Sequence, residues 1–70
     1  MITKENIKDK SRLIYLEFKS KASYLSSDED VKKNCCVHLD LMKKEFSNII
    51  NDDELELFEQ AKEIINGYED

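Results

Sequence analysis

The stretch NDDELELFEQAKEIING, residues 51–67, decides the fold class of this 70-residue chain. It opens with Asn51, a residue type that caps helix N-termini, and Glu54 follows at the spacing of a capping box. The two acids between them suit the positive end of a helix dipole. Gly67 suits the left-handed residue that often ends a helix. The stretch therefore predicts a helix over residues 52–66.

The apolar residues of this segment recur at helical spacing and form one stripe. At about 100° per residue they share a single face, which is typical of a helix that packs on one side. The members of the stripe are Leu57, Phe58, Ala61, Ile64, Ile65 and Tyr68. Leu55 falls outside it, close to the preceding turn.

Two more helices are predicted upstream, near residues 4–24 and 27–50. Thr3 is the expected cap of the first helix, although its capping box is incomplete. Ser26 is the expected cap of the second helix, with Glu29 at capping-box spacing. The connections of about two to four residues are typical of helix bundles.

The first two helices are apolar on more than one side. The expected core residues are Ile7, Ile14, Phe18, Ala22 and Leu25 on the first helix, and Val31, Cys35, Leu39, Met42, Phe46, Ile49 and Ile50 on the second. A second apolar set falls outside these stripes and comprises Leu13, Leu16, Tyr24, Val37 and Leu41. Because a helix of a three-helix monomer needs only one inward stripe, this second set is predicted to contact a partner protein or a second copy.

The predicted fold is all-α: a three-helix bundle, or a helical hairpin plus a third helix, in a single domain spanning residues 1–70. The chain has no proline and one glycine, which argues against a β-sandwich or barrel. A chain this short buries only about 60% of its unfolded surface, so its core is thin. We therefore expect a homodimer, since two-fold dimers are the commonest oligomers. The alternative is that the third helix and Ile2 cover both apolar faces.

Charge is unevenly distributed along the chain, whose net charge is −5. The first 25 residues carry six basic and three acidic side chains, whereas the last 20 carry one basic and eight acidic. The expected acidic surface comprises Asp52, Asp53, Glu56, Glu59 and Glu63. It indicates docking on a basic partner or mimicry of a nucleic-acid backbone. The alternative is a solvated face beside an oppositely charged helix.

One feature of the sequence favours direct binding of nucleic acid. It is a basic side of the first helix that comprises Lys4, Lys8, Arg12 and Lys19. The spacing suits phosphate contacts, but no aromatic residue interleaves with it and the chain is acidic overall. Direct nucleic-acid binding is therefore not expected.

Residues that could carry chemistry are few. Cys35 and Cys36 are adjacent, and His38 follows, so one chain offers only two ligands at one point, whereas structural zinc takes four. A dimer could supply four, which leaves a shared metal or a redox role open. The carboxylates of the last helix lack the unequal, buried environments that separate a catalytic acid from a base. We predict no catalytic residue, no metal and no cofactor.

These observations favour a small, non-enzymatic, cytoplasmic protein that works by protein–protein contact as a regulator, inhibitor or adaptor. A phage or another mobile element is the expected source. One alternative is an acidic nucleic-acid mimic that inhibits a DNA-handling or defence enzyme, and a second is an immunity or antitoxin-type protein. No apolar run is long enough to span a membrane, and no secretory signal is expected.

Overall fold

A computed structural model describes residues 2–68, which form three α-helices and contain no strand. Helix α1 spans Ile7–Lys21, α2 spans Asp28–Phe46 and α3 spans Asp52–Asn66. Each helix packs against both of the others, which confirms the all-α fold and identifies it as a three-helix bundle rather than a hairpin with a separate third helix. Within the described residues, no helix is long and apolar enough to cross a membrane.

Short polar side chains set the starts of α2 and α3. Asn51 caps α3 as predicted, because its Oδ1 accepts a hydrogen bond from the backbone N–H of Glu54 at 2.9 Å. The cap of α2 lies one residue later than predicted, at Ser27 instead of Ser26. Its Oγ accepts from the N–H of Asp30, whose carboxylate accepts from the N–H of Ser27 in return. This reciprocal pair favours the later start because it satisfies two backbone donors at once.

Helix α1 also begins later than predicted, at Ile7 instead of near residue 4. The N–H of Thr3 donates to Asn6 Oδ1 at 2.6 Å, and the N–H of Asn6 donates to Thr3 Oγ1 at 3.2 Å. The side-chain amide of Asn6 thus completes a capping box with Thr3, at the position that Glu or Gln usually occupies. Residues 4–6 form a turn, and regular helix begins only at Ile7.

Helix α1 ends earlier than predicted, which corrects two assignments. The backbone is already extended at Ala22, so the chain leaves the helix before residue 24. Tyr24 and Leu25 lie in the connecting segment and are 95% and 79% exposed. Leu25 is therefore not a core residue, and Tyr24 does not share a helix face with Leu13.

Helix α2 also ends early, at Phe46. The N–H groups of Ile49 and Ile50 both donate to the carbonyl of Phe46, which closes a turn. This turn leaves Ile49 exposed, contrary to its predicted place in the core, while Ile50 packs against the core.

One buried cluster joins the three helices and the N-terminal segment. Its members are Ile2, Ile7, Tyr15, Val31, Cys35, Leu39, Leu57, Phe58, Ala61 and Ile65. The predicted stripe of α3 is confirmed, with Ile64 and Tyr68 packed at its edge. On α1, burial also includes Ser11 and Tyr15, which the apolar pattern did not single out. The buried side of α1 is wider than its predicted apolar stripe, because α1 lies against two helices. The Tyr15 ring contacts the Tyr68 ring edge-on, with ring centres 5.1 Å apart.

Candidate functional site

Four of the five side chains predicted to contact a partner lie on the outer sides of α1 and α2. Leu13, Leu16, Val37 and Leu41 are 59%, 46%, 50% and 57% exposed. We call these four residues the outer apolar face. The alternative, in which α3 and Ile2 cover both apolar faces, does not hold, because these four side chains stay exposed while Ile2 lines a groove at the start of α3. The core is thus complete without the outer apolar face.

The outer apolar face consists of two pairs. Leu13 and Leu16 are three residues apart on α1, and Val37 and Leu41 are four residues apart on α2, so the members of each pair are neighbours on a helix surface. Leu16 borders a shallow cavity of about 220 Å³ that also includes Tyr68, beyond the end of α3. It therefore lies on the side of α1 that faces away from α2. Tyr24, in the segment after α1, belongs to neither pair.

Four of the five acidic residues predicted on the surface of α3 face solvent, and the fifth, Glu59, contacts two lysines. Asp52, Asp53, Glu56 and Glu63 are exposed. Glu59 is partly buried between α2 and α3, where its Oε1 lies 2.8 Å from Lys43 Nζ and its Oε2 lies 3.0 Å from Lys62 Nζ.

The contacts of Glu59 have clear electrostatic consequences. Hydrogen bonds from Lys43 and then Lys62 hold the pKa of Glu59 below its ordinary value. Hydrogen bonds to Asp40 and then Glu59 raise the pKa of Lys62, which lies 2.6 Å from Asp40. Glu59 is thus paired with two amines, while 44% of its side-chain surface stays exposed.

The basic side of α1 faces solvent and borders α3. Lys8 and Arg12 line a groove of about 470 Å³ together with Glu63 and Tyr68. The ammonium group of Lys19 lies 5.6 Å from the centre of the Tyr15 ring. Basic residues of α1 and an acidic residue of α3 thus line the same groove between the two helices.

The two cysteines lie in different environments, and the neighbouring His38 contacts an aromatic ring. Cys35 is fully buried, and burial raises the pKa of its thiol to about 11, so it stays protonated at neutral pH. Cys36 is partly exposed, with its Sγ 3.6 Å from Asn66 Oδ1. The His38 ring packs against Phe18, with ring centres 5.3 Å apart. Among residues 2–68, no three His, Cys, Asp or Glu side chains are arranged to hold a metal ion.

A polar cluster that the sequence analysis missed lies where the start of α2 meets the end of α3. Lys32 pairs with Asp28 at 3.0 Å and donates to the backbone carbonyl of Tyr68. The hydroxyl of Tyr15 donates to Asp28, so α1, α2 and the segment after α3 are joined there. The charges of Lys32 and Asp28 offset one another inside the bundle, so we assign the cluster a structural role. No sequence signal could have found it, because its members are up to 53 positions apart.

Comparisons of the chain with models of protein families, with curated proteins and with solved structures found no significant match.

Proposed function

We propose that this protein is a small, non-enzymatic interaction module that acts by binding another protein, as a regulator, inhibitor or adaptor. The observation that carries the proposal is the outer apolar face, whose four large side chains stay about half exposed although the core is closed. Clustered apolar side chains on the surface of a small protein mark contact sites. We also propose a cytoplasmic location, which the two free cysteines support because reducing compartments keep thiols unpaired.

The energy available at this face is modest. Full burial of a Leu or Val side chain contributes about 1.5–3 kcal/mol, so covering the exposed half of one contributes about 1 kcal/mol. Each of the two pairs therefore supplies about 2 kcal/mol before the entropic cost of association. The charged residues beside the face then contribute to partner selection and to the rate of association.

The absence of enzymatic activity is part of the proposal. The thiol of Cys35 is buried and protonated at neutral pH, and the His38 ring is packed against Phe18. Within the described part of the chain, the grooves are open to solvent and carry no assembled nucleophile, base and orienting group of the kind that catalysis requires.

Self-association into a homodimer is the second part of the proposal. The exposed pairs on two different helices support it, since one pair can serve a second copy while the other remains open to a foreign partner. In such a dimer the protein presents two identical binding faces.

The experiment that tests the proposed function is affinity capture with matched variants. The immobilised chain is compared with Leu13→Ser/Leu16→Ser and with Leu41→Ser, which remove parts of the outer apolar face. The control is Leu25→Ser, which removes a leucine that is 79% exposed in the segment between α1 and α2. We expect the wild type and the control to retain the same partner and at least one face variant to lose it, with unchanged thermal unfolding in all.

Equal capture by the wild type and every face variant would contradict the proposed binding surface. Loss of capture on substitution of Glu56 and Glu63 by Lys, with the face variants unaffected, would move the site to the acidic surface of α3. Measuring the captured complex at two salt concentrations separates these results, because contacts between exposed charges weaken with salt.

A further inference from the structure

One line along the outer side of α2 has an acid at one end, an apolar residue at its centre and a base at the other end. Asp30, Val37 and Lys44 are each seven residues apart, which is close to two helical turns, so they lie along one stripe of the helix. Val37 is 50% exposed, and both charged side chains are exposed. The two charges lie about 10 Å from Val37 in opposite directions along the helix axis.

This arrangement is complementary to itself when the helix is reversed. Two antiparallel copies of α2 related by a two-fold axis at Val37 bring Asp30 of each copy level with Lys44 of the other. A contact of this kind satisfies the requirement that a two-fold interface uses the same patch on both subunits.

The neighbouring positions on α2 fit the same two-fold arrangement. Lys33 and Asp40 lie on one flank of the stripe, and reversal places Lys33 within one residue of the level of Asp40 in the second copy. Leu41, which is 57% exposed, lies one turn from Val37 and comes against the second copy's Val37 and Asn34. Glu45 lies about 80° away from the stripe and so does not face the axis directly.

We propose that a second copy of this chain covers Val37 and Leu41, docked antiparallel along α2 with an Asp30–Lys44 pair at each end. This inference rests on the proposed function, of which it specifies the contact between copies. It leaves Leu13 and Leu16 on α1 as the part of the outer apolar face that a foreign partner contacts.

The size of the contact determines how strong the dimer is. A single pair of helices buries well below the about 800 Å² per partner that stable complexes use. The dimer is therefore weak, concentration-dependent and sensitive to salt, because its specificity comes from exposed charge pairs.

The test is a charge exchange followed by sedimentation equilibrium at low salt. Lys44→Glu places two like-charged pairs in the dimer, and we expect self-association about tenfold weaker. Asp30→Lys has the same effect through the opposite charge. An equimolar mixture of the two variants restores association, because every pair in the mixed dimer is then of opposite sign. The control Lys10→Glu makes the same charge change on α1 and leaves association unaltered.

Asp30 also takes part in the cap of α2, so Asp30→Lys can weaken the helix. Lys44→Glu leaves that cap intact and keeps the test valid by itself. A wild type that stays monomeric up to about 1 mM, the range of the weakest specific contacts, overturns the inference. So does a Lys44→Glu variant that associates as well as the Lys10→Glu control.

Cross-linking gives a second, independent measurement. In a Cys36→Ser background, Val37→Cys lies on the proposed axis, and we expect mild oxidation to yield a disulfide-linked dimer. Leu16→Cys, at a similarly exposed position on α1, is the matched control and stays monomeric. Equal cross-linking of both variants overturns the inference.

The two proposals fail separately. If the α2 variants leave the mass unchanged while Leu13→Ser/Leu16→Ser abolishes capture of a foreign partner, the interaction module stands and the second-copy contact falls. If the charge exchange weakens self-association as expected but no outer-face variant reduces capture of a foreign partner, the dimer contact is supported and the proposed partner surface is contradicted.

Discussion

Lys43 of α2 donates a hydrogen bond to Glu59 of α3 at 2.8 Å. The same carboxylate lies 3.0 Å from Lys62, whose ammonium group also reaches Asp40 of α2. These contacts make a charged seam between α2 and α3 on the rim of the core. The seam pairs Glu59 with two lysines and gives it a role in stability.

The first prediction concerns the pH dependence of this seam. Because the pKa of Glu59 is lowered in the folded chain, its contribution is present above the ordinary value of 4.5 and is lost as pH falls through the folded pKa. Glu59→Gln removes that contribution, which amounts to no more than about 1 kcal/mol because the side chain is partly exposed. Urea unfolding between pH 3 and pH 7 measures it. Glu56→Gln, an exposed neighbour, is the control and keeps the wild-type pH profile.

A second prediction contrasts two leucines of α2 that differ in burial. Leu39 is fully buried, so Leu39→Ala lowers the free energy of unfolding by about 3 kcal/mol through lost burial and the cavity left behind. Leu41 is 57% exposed, and Leu41→Ala changes stability by less than about 1 kcal/mol. Chemical unfolding of both variants checks this. Comparable losses in the two variants would show that Leu41 is covered in solution.

The third prediction concerns Gly67, which was expected to end α3 in a left-handed conformation. Its φ is −84° and its ψ is −5°, in the ordinary right-handed region. A Cβ added there meets the carbonyl oxygens of Glu63 and Ile64 at 3.5 Å, an ordinary contact distance. Gly67→Ala is therefore expected to stabilise the chain by about 0.4–1 kcal/mol, mainly by restricting the unfolded state. A lower melting temperature for this variant would contradict the conformation.

The fourth prediction concerns Ser11, which is fully buried on α1 and whose hydroxyl has no hydrogen-bond partner. An unpaired buried hydroxyl is destabilising, so Ser11→Ala is expected to raise the free energy of unfolding by about 1 kcal/mol. Ser20→Ala, at an exposed position of the same helix, isolates the smaller gain from helix propensity. Destabilisation by Ser11→Ala alone would indicate that the hydroxyl is bonded in solution.

The fifth prediction concerns thiol reactivity. Cys36 is partly exposed, whereas Cys35 is buried with its pKa raised to about 11. A thiol reagent at pH 8 is therefore expected to modify one thiol per native chain quickly and the second only on unfolding. Cys36→Ser removes the fast phase and Cys35→Ala leaves it. A fast phase that survives in Cys36→Ser would contradict the burial of Cys35.

Local signals in the sequence were sufficient to predict the bounds and the buried face of α3. Its cap, its acidic first turn and its single apolar stripe lie within one segment, and each depends on neighbours a few residues away. The same locality explains why Leu13, Leu16, Val37 and Leu41 could be recognised as outside the core stripes: a helix phase follows from spacing alone.

Only the tertiary structure decided the features that depend on distant segments. Tyr15 is buried because Tyr68 and Asp28 lie beside it, and Glu59 is paired because Lys43 lies opposite on another helix. Helix ends also changed, since side-chain caps and turns competed with the periodic pattern at Ser27 and after Phe46. By itself, the sequence determined the helices and their phases, because these follow from local hydrogen bonding and from a period of 3.6 residues. Which of the outward residues remain exposed depended on the packing of all three helices together.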